Sequence, residues 1–222
     1  MSNLARAVEI AKELEFRQKT NLMNSYNPYE YQKKFHGSLA SQRLLMAGNR
    51  VGKSFSGAME MAYHCTGLYP EWWTGKRFNR PVRCWVGGVS NETTRDVCQK
   101  ELCGQPDDPS AKGMGSIPLK LIGETVRKPG VPNAFNSVVI KHTSGGYSRI
   151  TPEQGMTETV AQFVNNLKTG QELIQATWDD APHMTKDIRN QILSALPPHE
   201  RKMREMGIPQ LGSGLVFPIA ED

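Results

Sequence analysis

The chain has 222 residues, 38% apolar and 8% aromatic, enough for one α/β domain with a sizeable core and too apolar for a disordered chain. No run reaches the roughly 18 apolar residues of a membrane span, and the charged N-terminus lacks a signal-peptide core, so a cytoplasmic protein without membrane contact is expected. A net charge of +5 suits a polyanionic partner such as a nucleotide or DNA without demanding one, and Cys65, Cys84, Cys98 and Cys103 form neither a Cys-x-x-Cys nor a zinc spacing, which leaves free thiols as the expectation.

In chain order, Leu4, Ala7, Val8, Ala11 and Leu14 share one face and predict an amphipathic helix over 3–20, docked on its own domain. Asn27-Pro28-Tyr29 breaks it. The segment Tyr29 to Phe35 follows. Within it the Gln32 amide offers a donor and an acceptor side by side, the pattern that reads a base edge, and Tyr31 or Tyr29 would stack on a purine ring. Aromatic residues at this spacing equally suit a core.

The apolar run Leu44-Leu45-Met46 leads into Ala47-Gly48-Asn49-Arg50-Val51-Gly52-Lys53-Ser54, and a helical segment continues from Ser54 to about Cys65. Strand, glycine loop ending in Gly-Lys-Ser, then helix is the pattern of a phosphate-binding P-loop. Loop N–H groups would face phosphate oxygens, and the positive end of the helix would add to them. Lys53 would reach the β- and γ-phosphates, Ser54 would place its hydroxyl on Mg²⁺, and Gly52 would keep the backbone close. Ala47 stands where the usual pattern begins with Gly, and Gly48 shifts the turn by one residue.

The aromatic connection Tyr69 to Phe78 carries Trp72 and Trp73 beside Lys76 and Arg77, with Arg80 just beyond; it reads as a plug against the sheet or as a nucleic-acid contact. Arg201, Lys202 and Arg204 are further candidate DNA contacts. Val82 to Val86 predicts a strand, Ser90 caps a helix to about Leu102, and Gln105 to Ser116 reads as a mobile surface loop. Residues 117–134 give little; Ser137 to Lys141 is a strand, followed by a tight junction over 144–156. A helix from Thr157, a strand Leu173 to Trp178, a helix capped by Thr185, a basic helical turn His199 to Met206 closed by Gly207, and a strand Leu215 to Ile219 complete the alternation. Strands alternating with helices around a phosphate loop imply a three-layer α/β domain with a mostly parallel sheet.

A nucleoside triphosphatase also needs an acid for Mg²⁺ and one to orient water. The candidate pair is Asp179-Asp180; the competing reading is a helix-capping turn before Thr185. Asp179, Asp180, His183 and His199 would also suit a metal, with nothing in the sequence to fix their geometry.

Several stretches carry a family likeness: Asn27-Pro28-Tyr29 with Gln32 and Phe35, Met46 through Ala58, His64 through Pro70, Trp85 through Gly88, Asn91 through Thr93, Gly115 through Pro118, Thr177 through His183, and Gly207 through Gly214. In these the chain resembles the large terminase subunit of tailed bacteriophages, in its P22-like branch. That family is an ATP-driven motor that packs DNA into a procapsid, with an N-terminal ATPase domain and a C-terminal RNase H-like nuclease domain. The resemblance implies ATP and Mg²⁺ as cofactors. It implies Gly48, Asn49, Arg50, Val51, Gly52, Lys53 and Ser54 around the triphosphate, Gln32 and Tyr31 at adenine, and Arg50 as a source of transition-state charge stabilisation. It further implies double-stranded DNA, a portal protein and a small terminase subunit as partners, a ring of like subunits, and the host cytoplasm as location.

The chain departs from the family twice. The family's strand ending in a Trp-Phe-Asp-Glu-Glu-like run, which carries the metal acid and the catalytic glutamate, has no counterpart: Ser137–Lys141 leads almost directly to Thr151-Pro152, so the Walker B strand is expected to be excised within 144–156. The chain also stops at Asp222, about where the nuclease domain would begin, so the nuclease carboxylates are expected to be missing. The expected organisation is residues 1–40 as N-terminal helix and adenine-side segment, 41–170 as a P-loop NTPase-like core with an incomplete sheet, and 171–222 as a helical linker. Three functions compete: the ATP-binding part of a packaging motor, a nucleotide-binding but hydrolysis-inactive variant, and an unrelated P-loop enzyme such as a small-molecule kinase.

Overall fold

The computed structural model describes residues 21–154 and 167–207, together with residues 6, 8, 9 and 12. The helix predicted over 3–20, apart from those four positions, the helix from Thr157 and the strand Leu215 to Ile219 lie outside the described residues.

A short helix, α1 (Glu30–Gly37), precedes β1 (Gln42–Ala47), and the glycine loop then opens α2 (Lys53–Thr66). α2 ends where Gly67 takes the left-handed conformation (φ 74°) and donates its N–H to the Tyr63 carbonyl. β2 (Arg83–Gly88) follows the aromatic connection. Helix α3 then runs through Asn91–Thr93, a π-type stretch Thr94–Gln99 and Lys100–Cys103. Ser90 caps it by accepting the Thr93 N–H, as predicted. β3 (Ile122–Arg127), β4 (Phe135–Lys141), β5 (Tyr147–Gln154) and β6 (Gln171–Ala176) come next, and α4 (Lys186–Ser194) and α5 (Pro198–Met206) close the described chain.

Among the described residues the strands form two separate sheets. β1 and β6 pair in parallel, with Ala47 opposite Ala176. The other four run in the order β2-β5-β4-β3, with β2 and β5 parallel and β5, β4 and β3 antiparallel. The α/β class holds, but the pairing is mixed rather than mostly parallel, because β4 and β5 are joined by a tight turn in which the His142 N–H meets the Gly146 carbonyl. β5 itself is an addition to the predicted elements, as is β3. Pro152 sits inside β5, and the β4 pairing stops at Ile150, before the residue with no N–H to give; β2 alone pairs onward past it.

Among the described residues no strand occupies the second edge of β1 or the outer edge of β2, and no backbone hydrogen bonds join the two sheets. What links them is α2, joined to β1 by the glycine loop and by the Arg43–Glu60 ion pair. Its Ala58, Met59, Ala62, Tyr63 and Cys65 are buried against Val138, Ile140 and Ile150 of the larger sheet, with Trp73 and Leu102. A smaller cluster, Val51, Ala176, Trp178, Ala181 and Met184, forms behind the glycine loop.

Two expectations are corrected. The strand predicted over Leu173 to Trp178 is present as β6 and pairs with β1, so the segment 171–222, expected as a helical linker, opens with a strand. Gln105 to Ser116 is not a detached loop either. Gly113, Ser116 and Ile117 donate their N–H groups to the Cys103, Glu101 and Leu102 carbonyls, so this segment satisfies the end of α3.

Candidate functional site

The loop between β1 and α2 has the backbone of an anion nest. Arg50 (φ 62°) and Gly52 (φ 96°) are left-handed, and Val51 between them is not. A left-handed Arg is costly for an L-residue, so surrounding contacts must hold it. They do. The Trp178 indole N–H donates to the Asn49 carbonyl at 2.8 Å, His183 Nε2 meets the Arg50 carbonyl at 2.8 Å, and the Tyr31 hydroxyl donates to the Val51 carbonyl. At the mouth of the loop, Lys53 Nζ donates to the Ala47 (2.8 Å) and Gly48 (2.6 Å) carbonyls. Burial lowers the Lys53 pKa, the mark of an ammonium short of compensating negative charge. Ser54 is exposed on the first turn of α2.

The end of α5 lies against this loop. The Arg204 carbonyl accepts the Asn49 N–H at 2.7 Å, and a Cβ on Gly48 would stand 2.3 Å from the Glu205 carbonyl oxygen. The Gly48 N–H points the other way, to Ala176 of β6. α5 thus meets the end of β1, where among the described residues β6 is the one strand that pairs with it.

Beside the loop is a cleft of about 360 Å³ lined by Tyr26, Tyr29, Gln32, Arg50, Gly52 and His183, among others. Of the residues predicted at adenine, Gln32 lines this cleft: its Oε1 accepts the Tyr29 N–H, while Nε2 lies 3.1 Å from where a Gly52 Cβ would be. Tyr31 is buried, with its hydroxyl on the loop; Tyr29 faces the cleft, its ring stacked on His183 at 5.9 Å and its hydroxyl on His183 Nδ1 at 2.8 Å. The Arg50 side chain is exposed.

Asp180 accepts the Thr177 N–H and hydroxyl, and Asp179 pairs with Arg189, which also holds the Trp178 and Met184 carbonyls. The pair therefore forms a capping turn. Among the described residues neither Lys53 nor Ser54 pairs with a carboxylate, and no group of three metal-ligating side chains occurs. Trp73 is buried with its N–H on the Lys76 carbonyl, and Lys76 and Arg77 lie over the Phe78 and Tyr69 rings, so the aromatic connection plugs α2. Sequence reasoning passed over the roles of Trp178 and His183, whose partners lie 129 and 133 residues away. Among the described residues no helix is long and apolar enough to cross a membrane.

A family model described as "Terminase large subunit, T4likevirus-type, N-terminal" matches residues 44–148, from β1 to the start of β5. The large terminase subunit of Salmonella phage P22 is 31% identical over 97% of this chain and 57% of its own length. That of Enterobacteria phage LP7 is 27% identical over 62% of this chain and 39% of its own. The chain thus spans little more than half of the P22 protein. Their alignment runs over 283 positions, more than the 222 residues available here, so part of the relative faces a gap. In fold, the Thermus phage P74-26 large terminase ATPase domain superposes with a TM-score of 0.52 at 12% identity, over 83% of this chain and 94% of that domain. By sequence the chain is homologous to the large terminase subunits of these phages over little more than half of the P22 protein, and its fold is that of a large terminase ATPase domain.

Proposed function

We propose that this chain is the nucleotide-binding portion of a viral DNA-packaging motor, with the ATP polyphosphate held by Gly48, Asn49, Arg50, Val51, Gly52, Lys53 and Ser54. The observation that carries this reading is Lys53: an ammonium drawn out of water into a ring of loop backbone, its pKa lowered by burial. A phosphate oxygen would supply the charge that two carbonyls do not. The Ser54 hydroxyl, exposed at the start of α2, fits one ligand position of Mg²⁺; water and phosphate oxygens would fill the rest. Bound there, Mg²⁺ would neutralise charge on the phosphates. Gln32 and Tyr29 would face the base in the neighbouring cleft, with Tyr31 acting from behind the loop. Arg50, exposed on the loop, is the residue free to meet developing charge. Double-stranded DNA, a portal protein, a small terminase subunit and like subunits in a ring are the partners this reading brings, in the host cytoplasm.

A second reading, that the chain binds nucleotide without cutting it, is favoured by a specific observation. The P-loop strand has β6 on one edge and no strand on the other among the described residues, and the alignment with the P22 relative contains a gap. We propose that the strand carrying the metal acid and the water-orienting glutamate has been lost between β5 and β6 or within 144–156, leaving the cradle without its hydrolytic half.

Calorimetric titration with ADP and ATP tests the cradle. The wild type should bind, and Lys53→Ala should weaken binding about 10- to 100-fold, the value of one charge-assisted hydrogen bond. Equal affinity in the two proteins would refute the assignment.

A further inference from the structure

We propose that Trp178 and His183, together with Tyr31, are positioning residues that set the phosphate-facing N–H groups of the loop from behind. This rests on the reading of the loop as a phosphate cradle. A peptide unit is planar and trans, so its carbonyl and N–H point in opposite directions. The carbonyls of Asn49, Arg50 and Val51 share peptide units with the N–H groups of Arg50, Val51 and Gly52. Each of these three consecutive carbonyls accepts one hydrogen bond from an aromatic side chain outside the loop: the Trp178 indole, the His183 imidazole and the Tyr31 phenol. Three carbonyls held outward leave three N–H groups turned inward.

The donors come from two elements unrelated in sequence. Tyr31 lies on α1, whereas Trp178 and His183 lie on the turn after β6. That turn is itself fixed. Asp180 caps Thr177, Arg189 holds the Trp178 carbonyl, and Trp178 is fully buried. His183 holds the carbonyl of Arg50, the one non-glycine residue of the loop in the left-handed region. Its other nitrogen meets the Tyr29 hydroxyl, which accounts for both ring nitrogens: Nε2–H donates to Arg50, and Nδ1 accepts from Tyr29. Such pre-organisation removes the ordering cost that phosphate binding would otherwise carry. The cluster thus assigns a role to the Trp-Asp-Asp-Ala-Pro-His turn, which reads as a poor metal site and is a good loop support.

The test uses the full chain and inorganic pyrophosphate, which reports on the cradle without the base, in calorimetric titration beside thermal melting. Trp178→Phe keeps the ring and loses the donor. His183→Ala loses a donor at an exposed position, and His183→Gln restores an N–H at similar reach. Trp178→Phe and His183→Ala should each weaken pyrophosphate binding about fivefold, the value of one net hydrogen bond. His183→Gln should recover most of that, and the melting temperature of both His183 variants should stay within about 4 °C of the wild type, the shift expected for one hydrogen bond. A wild type that binds no pyrophosphate would overturn the cradle and the positioning role together. A wild type that binds, with His183→Ala binding equally well or His183→Gln no better than Ala, would overturn the positioning role alone.

Discussion

Glu60 ties three elements of the fold together. It lies on α2, buried, and its carboxylate is shared by three partners: His36 Nδ1 at 2.8 Å, His64 Nε2 at 3.4 Å and the Arg43 guanidinium. These ties fasten α1 and β1 to α2. Burial alone would raise its pKa, but the hydrogen bonds from His36 and His64 and the charge of Arg43 outweigh it and bring the value down to about 2 from 4.5. That difference is worth about 3 kcal/mol at neutral pH, and removing one member of a buried ion pair costs about 3–5 kcal/mol. Glu60→Gln should therefore lose about 3 kcal/mol, a fall of about 6–12 °C in melting temperature for a chain of this size. The sign with pH follows. A carboxyl whose folded pKa is depressed contributes fully above its unfolded value and loses that contribution as pH falls through the folded one. Wild-type stability should thus decline between pH 4.5 and about 2, and Glu60→Gln should flatten that part of the curve. Urea denaturation followed by circular dichroism at pH 7 and pH 3 measures both. A variant within about 0.5 kcal/mol of wild type at pH 7 would refute the reasoning.

Two further outcomes are expected. Steady-state ATP turnover by the purified chain should be negligible in a phosphate-release assay; robust turnover would mean that an acid reaches the cradle after all. Gly207→Ala should loosen α5 from the loop, because a Cβ there would stand 2.2 Å from the Ala47 backbone. Freeing the Asn49 N–H from the Arg204 carbonyl should then tighten ADP binding about fivefold; unchanged or weaker binding would show that α5 does not compete.

The strand, glycine loop and helix around Gly52 are legible because all their determinants are local: an apolar run, a glycine that takes φ 96°, and a helix start within one stretch of chain. The caps at Ser90 and Thr185 were legible for the same reason. β5 escaped because Gly145-Gly146 and Pro152 read as a broken junction, whereas the proline is tolerated once β4 has stopped pairing. β3 escaped between Pro118 and Pro129, which mask its alternation. Trp178, His183 and the α5 end reach the loop only after the chain has folded back over more than a hundred residues, and no local pattern encodes that meeting. The Tyr31 ring suggests stacking, whereas its hydroxyl on the Val51 carbonyl fixes its place.

The gap between the two sheets bears on how force would travel. In a continuous sheet, hydrogen bonds pass displacement from strand to strand with little give. Among the described residues β1 and β6 form a two-stranded raft carrying the glycine loop, tied to α2 by that loop and by the Arg43–Glu60 ion pair, while α2 packs on the larger sheet. Such a joint is compliant. Among the described residues, local opening of the raft has no ladder through which to recruit β2 to β5. Within the described residues, displacement of the glycine loop reaches the larger sheet through α2 and the packing of Met59, Ala62 and Tyr63 on it.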